Sequence, residues 1–198
     1  DCAGRLPVPG FGAWTGRFGM RYRSTSGGYS LYELVMTLGL FALVLTLGLP
    51  SLGAIVANSR LRVEVDQFFH AVHLARKESI VRRRVMTICP TRNGADCGGR
   101  ADWSEGWMLF VNVDRDLPAA RDRDEPVVKW VLVQPGNRIV ANRDSFSLRA
   151  TDLRATNGTL VFCDRNGRAR PRALVVSYTG RPRVAYETTR GQPYDCAD

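Results

Sequence analysis

Two histidines, His70 and His73, stand three residues apart, a spacing that on a helix can aim both rings at one metal ion. They are the only histidines in the chain, and no cysteine or carboxylate cluster is placed to complete a site. A packed or solvated pair is therefore the expected reading. The stretch "DRDLPAARDRDE" offers Asp114, Asp116, Asp122, Asp124 and Glu125 to calcium. It lacks the glycine of an EF-hand loop, and Arg115, Arg121 and Arg123 interleave with the acids, which predicts a solvated loop. A Ser-His-Asp arrangement would have to borrow its histidine from a helix, and no glycine-rich phosphate loop follows a strand. These residues predict a non-enzyme with no metal and no cofactor.

Cys89, Cys97, Cys163 and Cys196 form an even set, which in an exported domain favours disulfides. Of the three pairings, the expected one closes the loop "CPTRNGADC" with Cys89–Cys97 and pins the tail to the strand "TLVFC" with Cys163–Cys196. Zinc is the alternative, but no C-x-x-C pair is present.

Arginine dominates the rest of the charge. The chain carries +9, with Lys77 and Lys129 its only lysines. Arg165, Arg168, Arg170, Arg172, Arg181, Arg183 and Arg190 face only Glu187, Asp195 and Asp198 in the final segment, a balance of +4. "DRNGRARPR" and "TGRPR" flank the strand "ALVVSY", and that strand is expected to carry the two clusters close together. Grouped guanidinium groups suit a phosphate backbone, each contact releasing counterions whatever the base sequence. An exposed hairpin kept soluble by its charge accounts for the same residues.

One acid lies in unusual company. Glu33 opens the run "ELVMTLGLFALVLTLGLP", after which no ionisable residue occurs until Arg60. Leu34 to Ser59 is long enough to cross a bilayer, where about 20 apolar residues are needed, and a carboxylate at its start is expensive. Arg21 and Arg23 just upstream keep the front end in the cytoplasm and send the remainder outward.

Past Pro50 the apolar positions Leu61, Val65, Phe68, Val72 and Ala75 recur at spacings of four and three, the stripe of an amphipathic helix. A helix from Tyr29 to Arg83 would be about 80 Å long. Beyond "RRRV" the period becomes strand-like, in eight short runs: 85–88, 107–113, 127–133, 138–141, 145–148, 159–163, 173–178 and 183–186. Turn signals separate them, among them Asn93-Gly94, Asn157-Gly158, Asn166-Gly167 and Thr179-Gly180. The predicted fold is α+β, a long, partly transmembrane N-terminal helix packed on a small antiparallel β-sheet domain.

Gly28 followed by Tyr29-Ser30-Leu31-Tyr32-Glu33-Leu34 resembles the prepilin peptidase signal of type IV pilins and type II secretion pseudopilins. The resemblance implies cleavage after Gly28, N-methylation of Tyr29 by the prepilin peptidase, and pairing of Glu33 with the N-terminal amine of a neighbouring subunit. Pro50 falls at the family's spacing and is implied in filament assembly. Residues 1–28 are then a leader, of which 1–19 read as a start-site artefact before Met20. Residues 29–58 are the membrane and filament-core helix, 59–84 its amphipathic continuation, and 85–198 a β-rich globular domain. Without the leader the charge falls to +6.

From Gly28 to Cys196 the order "VMTICP", "WSEGWMLFVNV", "DRNGRARPR" and "GRPR" resembles the minor pilins called FimT and their secretion relatives called GspH. Gly180-Arg181-Pro182-Arg183 matches the GRxR pattern of DNA-binding FimT tails, although Pro182 removes an amide donor there. The resemblance implies a minor type IV pilin that captures double-stranded DNA for natural transformation through Arg181 and Arg183, helped by Arg165, Arg168, Arg170 and Arg172. The alternative it implies is a GspH-like minor pseudopilin of the type II secretion system, working through protein contacts alone. Either would sit in the bacterial inner membrane as a single-pass protein with its C-terminal domain in the periplasm, then join other pilins in a filament.

Overall fold

The computed structural model describes residues 28–97, 102–149 and 155–196, the side chains at 47 and 49–51 excepted. The predicted leader lies outside the described residues but for Gly28, as do Arg21 and Arg23. The chain divides after Ala42.

Helix α1 (Leu31–Arg82) begins in the first unit. Ser30 caps it: its carbonyl accepts from the Leu34 amide at 3.1 Å and its hydroxyl from the Glu33 amide at 3.2 Å. Leu34, Val35, Leu38 and Phe41 are all more than half exposed, so the apolar run finds no cover among the described residues. The Thr37 hydroxyl turns back to the Leu34 carbonyl at 2.9 Å, spending its polarity on the helix itself. Among the described residues no helix is long and apolar enough to cross a membrane. The stretch whose side chains are described without a break, 31–46, is shorter than the about 20 residues a span requires.

In the second unit α1 runs on through Pro50, and its character changes. Leu61, Val65, Phe68, Val72 and Ala75 are buried, joined by Ala57 and Ala71, so the predicted stripe is the buried face. Phe68 is its centre, meeting Trp107 edge-on at 5.1 Å, Trp103 at 5.9 Å, Phe162 at 6.1 Å and Phe146 at 6.3 Å.

Eight strands follow: β1 (Val85–Pro90), β2 (Gly106–Asn112), β3 (Val127–Leu132), β4 (Asn137–Ala141), β5 (Phe146–Leu148), β6 (Gly158–Asp164), β7 (Arg172–Val176) and β8 (Pro182–Ala185). The fold class is the predicted α+β, and the antiparallel β domain consists of two four-stranded sheets, ordered β3-β2-β1-β5 and β4-β6-β7-β8. The chain changes sheets three times, between β3 and β4, β4 and β5, and β5 and β6. The inner faces of both sheets and the stripe of α1 share one core, with Ile88, Trp107 and Leu148 from the first sheet and Ile139, Phe162 and Leu174 from the second.

Asn157-Gly158 is not the turn its sequence suggests, since Gly158 is the first residue of β6. A Cβ there would lie 2.7 Å from Asn142 Oδ1 and 2.9 Å from the Phe146 ring, so the glycine serves close approach where the chain switches sheets. Pro182 proves compatible with pairing: it is the first residue of the edge strand β8 and lies opposite Val176, a position where a missing amide is tolerated.

Candidate functional site

The second unit has two ends. At the near end lie Leu52 to Arg60 of α1, with the β3–β4 turn and the β6–β7 loop. At the far end α1 stops at Arg82 and β1 begins, with the β7–β8 turn alongside. This side is fixed by contact: β1 pairs β5 with Met86 opposite Leu148, and a Cβ on Gly180 would sit 3.3 Å from the Leu148 side chain.

The β6–β7 loop arginines and Arg181 fall at opposite ends of β7, while Arg172 and Arg183 lie on the adjacent strands between them. Arg165, Arg168 and Arg170 occupy the β6–β7 loop and Arg172 opens β7, whereas Arg181 closes the turn after it. Arg183 on β8 lies opposite Val175, three residues along β7 from Arg172, so at their nearest the groups are staggered by about 10 Å along the strands.

Two of the four near-end arginines, Arg165 and Arg172, have guanidinium partners within the fold. Arg165 Nε donates to the Asn137 carbonyl at 3.3 Å, and its amide donates to the Gly136 carbonyl at 2.8 Å. The Arg168 amide donates to Asp164 Oδ2 at 2.8 Å, while its side chain lies against Gly53 of α1. The Arg172 guanidinium stands 5.8 Å over the Tyr186 ring, a cation–π contact across β7 and β8. Burial pushes the Asp102 carboxyl up. The hydroxyl and amide of Ser104, with the charges of Arg165 and Arg138, outweigh that and hold it below the usual carboxylate range. Arg170 is exposed.

The far-end pair differs. Backbone and hydroxyl bonds tie the turn itself, the Arg181 amide donating to Ser177 Oγ at 3.1 Å and its carbonyl accepting from the Ser177 amide at 3.1 Å. The Arg181 and Arg183 side chains are exposed and make no hydrogen bond or ion pair among the described residues. Gly180 is buried with φ +69°, a left-handed conformation that a side chain resists. The glycine of the GRPR motif thus shapes the turn that displays its arginines.

The four cysteines join as Cys89–Cys97, with Cα atoms 5.7 Å apart, and Cys163–Cys196, at 6.0 Å. The second bridge lies beside Arg138 and Arg165 in a cleft of about 410 Å³. Among the described residues no group of His, Cys, Asp and Glu is placed to hold a metal. His70 and His73 are exposed and both rings meet Phe69, at 5.8 and 4.8 Å.

Three acids take roles that the sequence reading missed. Glu33 is the third helical residue after Ser30, the S-x-x-E pattern of a capping box, and the Ser30 half of that box is formed. Glu125 is buried, and its carboxylate accepts the Val113 amide at 2.5 Å and the Asp122 amide at 3.1 Å, so the acidic stretch is folded around it rather than simply solvated. Glu64 of α1 is only 1% exposed and accepts the Gln134 amide at 2.7 Å, holding the β3–β4 turn to the helix. Burial raises its pKa, against the opposing pull of the Gln134 bond and the nearby Asn137 amide. Neither Glu64 Oε2 nor Asn137 Nδ2 completes a hydrogen bond. In sequence Glu64 looked like one more charge flanking the stripe, and only the turn above it reveals its use.

A capped helix docked on two antiparallel sheets, with its N-terminal apolar surface uncovered, is a pilin-like α+β architecture. Residues 64–180, more than half of the chain, match the family described as "Type II transport protein GspH". The chain belongs to that GspH family, the group of pilin-like minor pilins and pseudopilins its sequence resembles.

The fold is similar to solved structures at low identity. The type IV minor pilin FimU of Pseudomonas aeruginosa is 17% identical, with 70% of this chain and 96% of that one covered at a TM-score of 0.47. The minor pseudopilin EpsH from the Type 2 Secretion System of Vibrio cholerae is 8% identical, with 64% and 96% covered and a TM-score of 0.47. GspH of E. coli is 18% identical, with 66% and 90% covered and a TM-score of 0.41. Comparison with curated protein sequences finds no match.

Proposed function

We propose that this chain is a minor type IV pilin that enters the filament through its N-terminal helix and binds double-stranded DNA, without sequence preference, through Arg181 and Arg183. The observation that carries the reading is that the exposed Arg181 and Arg183 guanidinium groups have no partner among the described residues, while those of Arg165 and Arg172 are held within the fold. Arg165, Arg168, Arg170 and Arg172 then act at most as a secondary field.

The uncharged run from Leu34 to Ser59 supports a single inner-membrane span, with the two sheets in the periplasm. Cleavage after Gly28 would free the Tyr29 amine for methylation. Glu33, exposed in the first unit, would then meet the amine of a neighbouring subunit, since a carboxylate in lipid is tolerable when a cation faces it. The protein acts by binding and assembly, not by catalysis.

A second reading is favoured by the description of the matched family as a type II transport protein. Under it the chain is a minor pseudopilin whose far-end arginines meet other subunits.

A titration of labelled duplex with the full chain in detergent separates the two. For DNA capture, affinity falls as salt rises, by about 0.9 log unit per phosphate contact for each log unit of salt. Arg181→Ala with Arg183→Ala weakens it more than about tenfold at low salt, while Arg168→Ala changes it less than about twofold. A folded wild-type chain that ignores DNA at low salt moves the assignment to the pseudopilin.

A further inference from the structure

The described residues hold two left-handed positions occupied by something other than glycine, and both are arginines: Arg83 at φ 53° and Arg115 at φ 64°. Such positions cost stability for any residue with a Cβ and ordinarily go to glycine or asparagine. Strain of this kind persists only where the surrounding structure holds it, and it clusters at functional sites.

The two sites are neighbours. Val85 pairs with Asn112, so Arg83, two residues before one partner, and Arg115, three residues after the other, emerge side by side at the far end. Continuing the β1–β5 register beyond Met86 and Leu148 sets Arg149 opposite Val85, and Gly180 rests on Leu148. Arg83, Arg84, Arg115 and Arg181 are all exposed, and Arg149 is half-buried.

The acids of this end are engaged. Glu78 is held by Arg82 at 2.6 Å, and Asp114 Oδ1 accepts the Asp116 amide at 3.3 Å. A cation at the end of α1 also offsets the helix dipole, which accounts for Arg82 but not for an arginine forced left-handed on the β2 side.

Resting on the DNA reading above, we infer that Arg83, Arg84, Arg115 and Arg149 form, with the β7–β8 turn, one phosphate-binding surface that takes the backbone of a DNA duplex. Its residues come from four separated parts of the chain. Strand spacing of about 4.8 Å puts their backbones within about 20 Å of one another. Duplex of that length presents about 12 phosphates, enough to engage all of them.

The test is Arg83→Gly with Arg115→Gly in the full chain in detergent, beside Arg181→Ala with Arg183→Ala, titrated with a random-sequence duplex across a salt series and melted in parallel. Glycine relieves the backbone while removing the charge, so Tm should rise as affinity falls about tenfold or more at low salt, and the salt slope should shrink by about 2. Arg84→Ala with Arg149→Ala should lose affinity at unchanged Tm. Unchanged affinity and slope in both new variants, with binding lost in Arg181→Ala/Arg183→Ala, overturns the extended surface and leaves the DNA reading standing. A folded wild-type chain that does not bind duplex overturns both.

Discussion

The two loops that carry the C-terminal arginines share a composition and differ in almost everything else. The β6–β7 loop is stitched down by Asp164, Asn137, Tyr186 and the adjoining Cys163–Cys196 bridge. The β7–β8 turn is stitched only through its backbone and Ser177, leaving its guanidinium groups in water. Arginine count alone cannot separate a structural loop from a binding one. What separates them is whether the guanidinium already has a partner, because an arginine serving the fold must break that contact before it can meet a phosphate.

This contrast can be broken most forcefully at the stitched end. Replacing Cys163 and Cys196 by serine opens a link spanning 33 residues, which should cost about 4 kcal/mol in a denaturant melt. DNA affinity of the still-folded fraction should not change. A parallel loss of affinity would mean that the near end contributes to binding after all.

At the open end, Gly180→Ala sharpens the same contrast. It forces a side chain into a left-handed turn 3.3 Å from Leu148, and should cost about 1–2 kcal/mol. Here thermal stability and DNA affinity should fall together, since the turn both packs on β5 and aims Arg181.

The smallest effect is expected at Glu64, and it depends on pH. With its folded pKa raised above the ordinary value near 4.5, the folded protein holds the proton longer than the unfolded chain does. Stability from this group is therefore full below about 4.5 and declines as pH rises through the folded value. Glu64→Gln should flatten that decline, gaining on the wild type at pH 8 relative to pH 4 in paired chemical melts. DNA binding should be unaffected, because Glu64 belongs to the near end.

Much of the architecture was legible because each strand is a short apolar run bounded by turn residues, and each of the eight runs overlaps an observed strand. The stripe through Phe68 was equally plain, its spacing being set by the helical period. What stayed hidden was pairing between distant segments. Thr87 and Ser147, 60 residues apart, share a buried hydroxyl bond at 3.0 Å that marks β5 as a partner of β1, and nothing local in either strand announces it. Nor does composition say how eight strands divide between two sheets, or that Arg181 closes a turn at the end of β7 away from the β6–β7 loop. Ser30-x-x-Glu33 was readable as a helix start, but the carboxylate's position in an apolar run drew attention from its place three residues after a serine.

Phe68 and its ring of neighbours also give the molecule a built-in optical gauge. Of the tryptophans after Gly28, Trp103 and Trp107 lie edge-on to Phe68 and are shut from water, while Trp130 on β3 is 46% exposed. An aqueous quencher reaches the third and spares the first two. The emission that survives quenching therefore reports whether α1 still rests on its sheets, with no label attached, in detergent as readily as in an assembled filament.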